Sequence, residues 1–205
     1  MNNLKHDFKT GDIILFSEYP YNGWLACIDC AIRCWTRSRY SHVGIIVVDP
    51  PWTKKGTYVW DSSKHVLRDP EDGKIKYGIA LIPLQDYIEY SDGKQRLYKR
   101  SPTNPKTYDK FTDAALMKIH DKVYGCHYDT TVGHWLAAMV HILIPRTDKT
   151  FWCSAFVSYT MTELGILDKD TDWTVIVPAD LSEDGTKLKW NVEYGPDIIF
   201  STNYK

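Results

Sequence analysis

The residue best placed for chemistry is Cys153. It stands in FWCSAFVSYTMTELG, residues 151–165, where Phe156, Thr160 and Leu164 recur at helical spacing and Val157 and Met161 widen the apolar stripe. The spacing predicts a helix stopped by Gly165, because glycine accepts the left-handed backbone that a helix end often needs. Cys153 falls in the first turn. Unpaired N–H groups and the positive end of the helix dipole favour a thiolate there, and the thiolate is the nucleophilic form. The competing reading is a buried structural cysteine, since free cysteine is among the most buried residue types.

His42 is the next residue with chemical potential. It opens YSHVGIIVV, residues 40–48, whose apolar run predicts a strand buried on both faces. The loop DPPWTKKG, 49–56, leads into TYVWDS, 57–62, a second strand. A hairpin folded near residues 51–53 brings His42 opposite Asp61, or opposite Ser63 if the register shifts. Asp61 and Ser63 share a face, and Ser62 points away. A carboxylate facing a histidine holds the imidazole in one tautomer. A mere surface His–Asp pair would contribute little.

Other elements must hold these residues. KTGDIILF, 9–16, predicts a turn into a buried strand, and 78–84 and 95–100 predict strands separated by a polar stretch, 85–94. Residues 107–124 predict an amphipathic helix with Phe111, Ala115, Ile119 and Val123 on one side and Gly125 ending it. Residues 175–181 are expected to be extended, and 196–201 to form a closing strand. The segment 24–35 predicts a short helix with Cys27, Cys30 and Cys34 on one face. Zinc usually draws its ligands from separate turns, so a packed face of small residues is the expectation there. His127, His134 and His141 are seven apart. Ligands two turns apart on one helix cannot easily share an ion, so no metal is expected from them.

The composition bounds the rest. The 205 residues suit one domain with a full core, taken as 1–205. A net charge of -1 argues against nucleic-acid binding. Five cysteines, an odd number, and an N-terminus without an apolar signal segment favour a reducing compartment such as the cytoplasm. No apolar run reaches membrane-spanning length; the longest candidate, 135–144, has ten residues and contains His141. The eight Trp and fourteen Tyr fit either a lined groove or an aromatic core.

The order of these pieces resembles the permuted papain-like cysteine amidases, the YiiX-like branch of the NlpC superfamily. Lecithin:retinol acyltransferase and a poxviral group are more distant relatives. The matching pieces are Gly11-Asp12 with its strand, Tyr40-Ser41-His42-Val43-Gly44, the acidic residue after Val59-Trp60, Tyr128-Asp129, and Cys153-Ser154 opening a helix. The histidine precedes the cysteine, as in the permuted order. The resemblance implies an α+β, circularly permuted papain-like fold, an antiparallel sheet or half-barrel packed against the cysteine-bearing helix. It implies that Cys153 is the nucleophile, His42 the base and Asp61 the orienting group. The family often has Glu at the last position, so Asp61 is a departure. Tyr40, Tyr128 and Trp152 are candidate substrate-binding residues. A helical insertion at about 128–150 is not part of the family pattern and could form an acyl pocket or add core.

The expected activity is hydrolysis of a small-molecule, peptide or lipid amide through a thioester, with no metal or organic cofactor. The rival readings are an acyltransferase using the same thioester, and a binding or structural protein on the same scaffold. Arg37 and Arg39, just before His42, could hold a carboxylate or phosphate, although solvated arginines are commoner.

Overall fold

The computed structural model describes residues 7–17, 38–91, 95–129, 149–185 and 188–201. The expected helix at 24–35 with its three cysteines, Arg37, and the interior of the expected insertion, with His134, His141 and the apolar run 135–144, lie outside these residues.

The fold is mixed α+β. One eight-stranded sheet carries it: β1 (Ile13–Ser17), β2 (Tyr40–Val48), β3 (Thr57–Lys64), β4 (Tyr77–Pro83), β5 (Arg96–Arg100), β6 (His127–Tyr128), β7 (Thr150–Phe151) and β8 (Ile198–Ser201). The spatial order is β7-β6-β4-β3-β2-β1-β5-β8. Every pairing is antiparallel except β6 with β7. Among the described residues the three α-helices are α1 (Leu84–Ser91), α2 (Asp113–Val123) and α3 (Cys153–Glu163). Tyr128 and Thr150, the expected ends of the insertion, are therefore strand residues, and His127 is not helical.

The sheet has an apolar cluster on each face. Ile13, Leu15, Val43, Ile45, Val47, Tyr58, Trp60, Ile79 and Leu81 pack with α3. Ile14, Phe16, Ile46, Val59, Ala80 and Ile82 pack with Leu84 and Tyr87 of α1. Double-sided burial explains why β1 and β2 are continuous apolar runs rather than alternating ones. Each buried Val, Leu or Ile contributes about 2 kcal/mol through apolar surface removed from water.

Three expectations are corrected. The polar stretch 85–94 holds α1, whose Leu84, Tyr87 and Ser91 face inward. The helix expected over 107–124 is two pieces: a 3-10 turn at Pro105–Lys110, then α2, which starts at Asp113 because the Thr112 hydroxyl accepts from Ala115 N–H at 3.2 Å. The segment expected to be extended at 175–181 forms 3-10 turns at Trp173–Val175 and Pro178–Leu181.

Gly11 shows why the Gly-Asp pair opens β1. Its φ is 104°, and an added Cβ would stand 2.3 Å from the Phe111 ring. Asp12 is fully buried, accepting from the Tyr108 hydroxyl at 2.9 Å and Lys9 N–H at 3.0 Å. The pair is a structural fastening.

Candidate active site

Helix α3 begins with Cys153, as its spacing predicted. Trp152 occupies the cap position and makes no side-chain capping bond. The turn before the cysteine is fixed from two sides instead. Ser62 of β3 donates its hydroxyl to the Phe151 carbonyl at 2.7 Å. The Ile176 carbonyl accepts both the Trp152 indole N–H at 3.2 Å and the Ser154 hydroxyl at 2.7 Å. At the other end Gly165, φ 64°, follows the helix, and Ile166 N–H donates back to the Met161 carbonyl at 2.8 Å. The helix is buried from Cys153 to Met161 on every side, not along one stripe.

His42 and Asp61 meet across a split in the sheet. Strands β2 and β3 pair from Val48/Thr57 up to Ile45/Trp60. Beyond that point β2 keeps its pairing with β1, to Phe16/His42, while β3 keeps its pairing with β4, to Lys64/Tyr77. Continuing the register would set Gly44 opposite Asp61 and His42 opposite Ser63, the shifted alternative. Asp61 nevertheless reaches diagonally to His42, with Oδ2 2.5 Å from Nε2, a short charge-assisted contact. Gly44 makes this reach fit: a Cβ there would lie 2.6 Å from Val59 Cγ1 and 3.1 Å from Asp61 Cβ.

Both residues project to the α1 side of the sheet, as their neighbours Phe16 and Tyr87 show. The Phe16 and His42 ring centroids are 4.9 Å apart, and the Tyr87 hydroxyl donates to Asp61 Oδ2 at 3.0 Å. Cys153 belongs to the opposite cluster, with α3. The sulfur stands close enough to the His42 ring for its charge to act on the imidazole. With Nε2 taken by Asp61, Nδ1 is the ring nitrogen left for the sulfur.

The site is buried: His42 and Asp61 are 0% exposed and Cys153 is 5% exposed. Burial by itself would push the His42 pKa below its ordinary 6.5. The negative charge of Cys153, the hydrogen bond to Asp61 and the further pull of both partners outweigh that, and the ring keeps its proton up to about 9. His65, which follows β3, behaves in the opposite way. Burial lowers its pKa, and its Nε2–H donates to the Gly78 carbonyl at 3.0 Å, leaving it neutral in one tautomer.

No protein-family model matches this chain, and no curated protein matches it. The geometry sets a cysteine sulfur at a helix start, an imidazole beside it and a carboxylate behind the imidazole.

The three candidate substrate-binding residues are placed differently. Tyr128 pairs with Phe151 in the β6–β7 ladder and its ring packs near Tyr77, while Trp152 directly precedes Cys153. The register shift between Phe16/His42 and Ser17/Tyr40 skips Ser41, so Tyr40 joins the α3-side cluster. Its ring is fully buried and its hydroxyl donates to Asp197 at 2.7 Å. Arg39 lies 5.5 Å above the Tyr40 ring and 4.0 Å from Asp184.

Sequence reasoning missed Tyr87, Ser62, His65 and Gly44. The spacing of Leu84, Tyr87 and Ile88 carried a helical signal for the first. Ser62 gave none, since its partner Phe151 is 89 residues away. Among the described residues no group of His, Cys, Asp and Glu could hold a metal ion, and no helix is long and apolar enough to cross a membrane.

Proposed function

We propose that this protein is a cysteine-dependent hydrolase that cleaves an amide through a thioester, on a circularly permuted papain-like fold. The observation that carries the reading is the convergence of Cys153, His42 and Asp61 from three elements into one buried site. The permuted order is supported by the histidine strand preceding the cysteine helix.

In this scheme the Cys153 sulfur attacks the carbonyl carbon, and the backbone N–H of Cys153 donates to the oxygen that becomes negative. The carbon–nitrogen bond breaks as His42 gives its proton to the leaving amine. His42 then takes a proton from water, the hydroxide adds to the thioester, and the acid leaves as the Cys153 sulfur departs. Asp61 keeps the ring oriented and stabilises its charged form. The substrate class is a small-molecule, peptide or lipid amide.

The test is a panel of acyl-amides followed by intact-mass and peptide mapping. The expected result is a transient acyl adduct on Cys153 and amine release that Cys153→Ala abolishes. Amine release that survives Cys153→Ala overturns the reading. An added amine acceptor that collects the acyl group in place of water would make the protein an acyltransferase. Cys153 should also alkylate faster than Cys27, Cys30, Cys34 and Cys126 with a small reagent, and an inert Cys153 would favour a binding scaffold.

A further inference from the structure

The Asp61 carboxylate is loaded on one side only. Oδ2 takes both the His42 Nε2 contact and the Tyr87 hydroxyl, while Oδ1 is buried with no hydrogen-bond partner. A donor is nearby for that orphan oxygen: His65 Nε2 lies 3.9 Å from Oδ1. A buried carboxylate oxygen without a donor is costly, so turning Asp61 toward His65 would relieve it. The Gly78 carbonyl holds His65 Nε2–H at 3.0 Å and competes for that proton. Something must also hold Asp61 on the His42 side.

Tyr87 is placed to do so. Its side chain is 2% exposed, set on α1 against the sheet, with its ring centroid 5.1 Å from that of Phe16, which in turn packs on His42. The phenol can give its one proton only where the ring is aimed, and it is aimed at Oδ2. We propose that Tyr87 is a positioning residue: its hydroxyl selects the Asp61 orientation that meets His42 and keeps the carboxylate from swinging to His65. The geometric claim stands on these contacts. Its consequence for turnover rests on the hydrolase reading above.

Groups that act on the His42 ring include Asp61 from β3, Cys153 from α3, His65 beyond β3 and the Phe16 ring from β1, with Tyr87 of α1 acting through Asp61. Tyr87→Phe keeps the ring and removes only the hydroxyl, so it isolates the proposed bond. The experiment titrates His42 by NMR in the full chain, wild type against Tyr87→Phe, with Asp61→Asn marking complete loss of the carboxylate.

We expect the His42 midpoint in Tyr87→Phe to fall from about 9 toward the ordinary 6.5, part of the way to Asp61→Asn. Amide turnover should fall by about tenfold through kcat with KM little changed, as for a group that serves only the transition state. An unchanged His42 midpoint overturns the proposal, and so does a variant that loses melting temperature while keeping the wild-type titration, because the hydroxyl is then merely structural. If no amide is cleaved by the wild type, the hydrolase reading fails, and the titration alone still decides the role of Tyr87.

Discussion

In the proposed site Asp61 orients the His42 ring and balances its charge, and two substitutions separate these tasks. Asp61→Asn keeps the shape and an oxygen for Nε2 but removes the charge. It should lower turnover by about one to two orders of magnitude with the fold intact, less than Cys153→Ala, because an orienting group forms no covalent bond. Asp61→Ala should do more damage than Ser63→Ala, since Nε2 is committed to Asp61. Equal effects of the two alanines on turnover would break the assignment. The raised His42 pKa gives a second prediction. A pKa raised on folding means the protonated ring stabilises the fold fully below about 6.5 and loses that contribution as pH climbs through about 9. Thermal melts from pH 6 to pH 10 should fall more steeply for the wild type than for His42→Phe. Turnover should fall over the same alkaline limb, where His42 no longer has a proton for the leaving amine. A wild-type activity profile flat through pH 10 would contradict this.

Elements differed sharply in how legible they were. The bounds of β2 could be read because a strand buried on both faces is an unbroken apolar run. The meeting of His42 with Asp61 followed from hairpin arithmetic to within one step of register, although the split between β2 and β3 did not. Helix α1 was hidden because it is only eight residues long, follows Pro83 directly and carries Gln85, Asp86 and Glu89 among its few apolar positions. Helix α2 was drawn too long because Phe111 extends its stripe, yet Phe111 belongs to the turn over Gly11 and Thr112 is the true cap. Ser62 acts through a partner 89 residues away, so no local pattern marks it. Gly44 is the element-scale test. Its neighbours, Val59 Cγ1 and Asp61 Cβ, belong to the adjacent strand, so Gly44→Ala must push β2 and β3 further apart. Overpacking of this kind costs about 1–3 kcal/mol. Asp61 is displaced along with Val59, so turnover should drop by more than the melting temperature suggests. A Gly44→Ala protein with wild-type turnover would show that the close fit does not matter.

At the scale of the molecule, the placement of Cys153 depends on a chain of contacts that ends at Arg100, on β5. The Ile176 carbonyl clasps Trp152 and Ser154 on either side of Cys153, and the segment from Ile176 continues into the turn at Pro178–Leu181. Arg100 ties down the end of that turn: Nη1 donates to the Leu181 carbonyl at 2.8 Å and the Ser182 carbonyl at 2.9 Å, and Nε donates to the Gly195 carbonyl at 2.9 Å. The stretch around Gly195 that it grips also reaches the turn before β1, through the Tyr194 hydroxyl on the Gly11 carbonyl at 2.9 Å. One guanidinium thus joins β5, the segment behind Cys153 and the approach to β8. Its side chain is only 10% exposed, so removing it leaves buried carbonyls without donors. Hydrogen bonds to a charged group are worth about 1.5–3 kcal/mol, and their losses here are coupled, so Arg100→Met should cost about 3–5 kcal/mol. Arg100→Lys should recover little, because a single ammonium cannot reproduce the planar fork that spans three carbonyls. Urea unfolding checks both. A midpoint within error of the wild type for Arg100→Met would mean that the three carbonyls find other donors. In folded Arg100→Met at low temperature, Cys153 should alkylate more slowly than in the wild type, because the Ile176 clasp on Trp152 and Ser154 has lost its anchor.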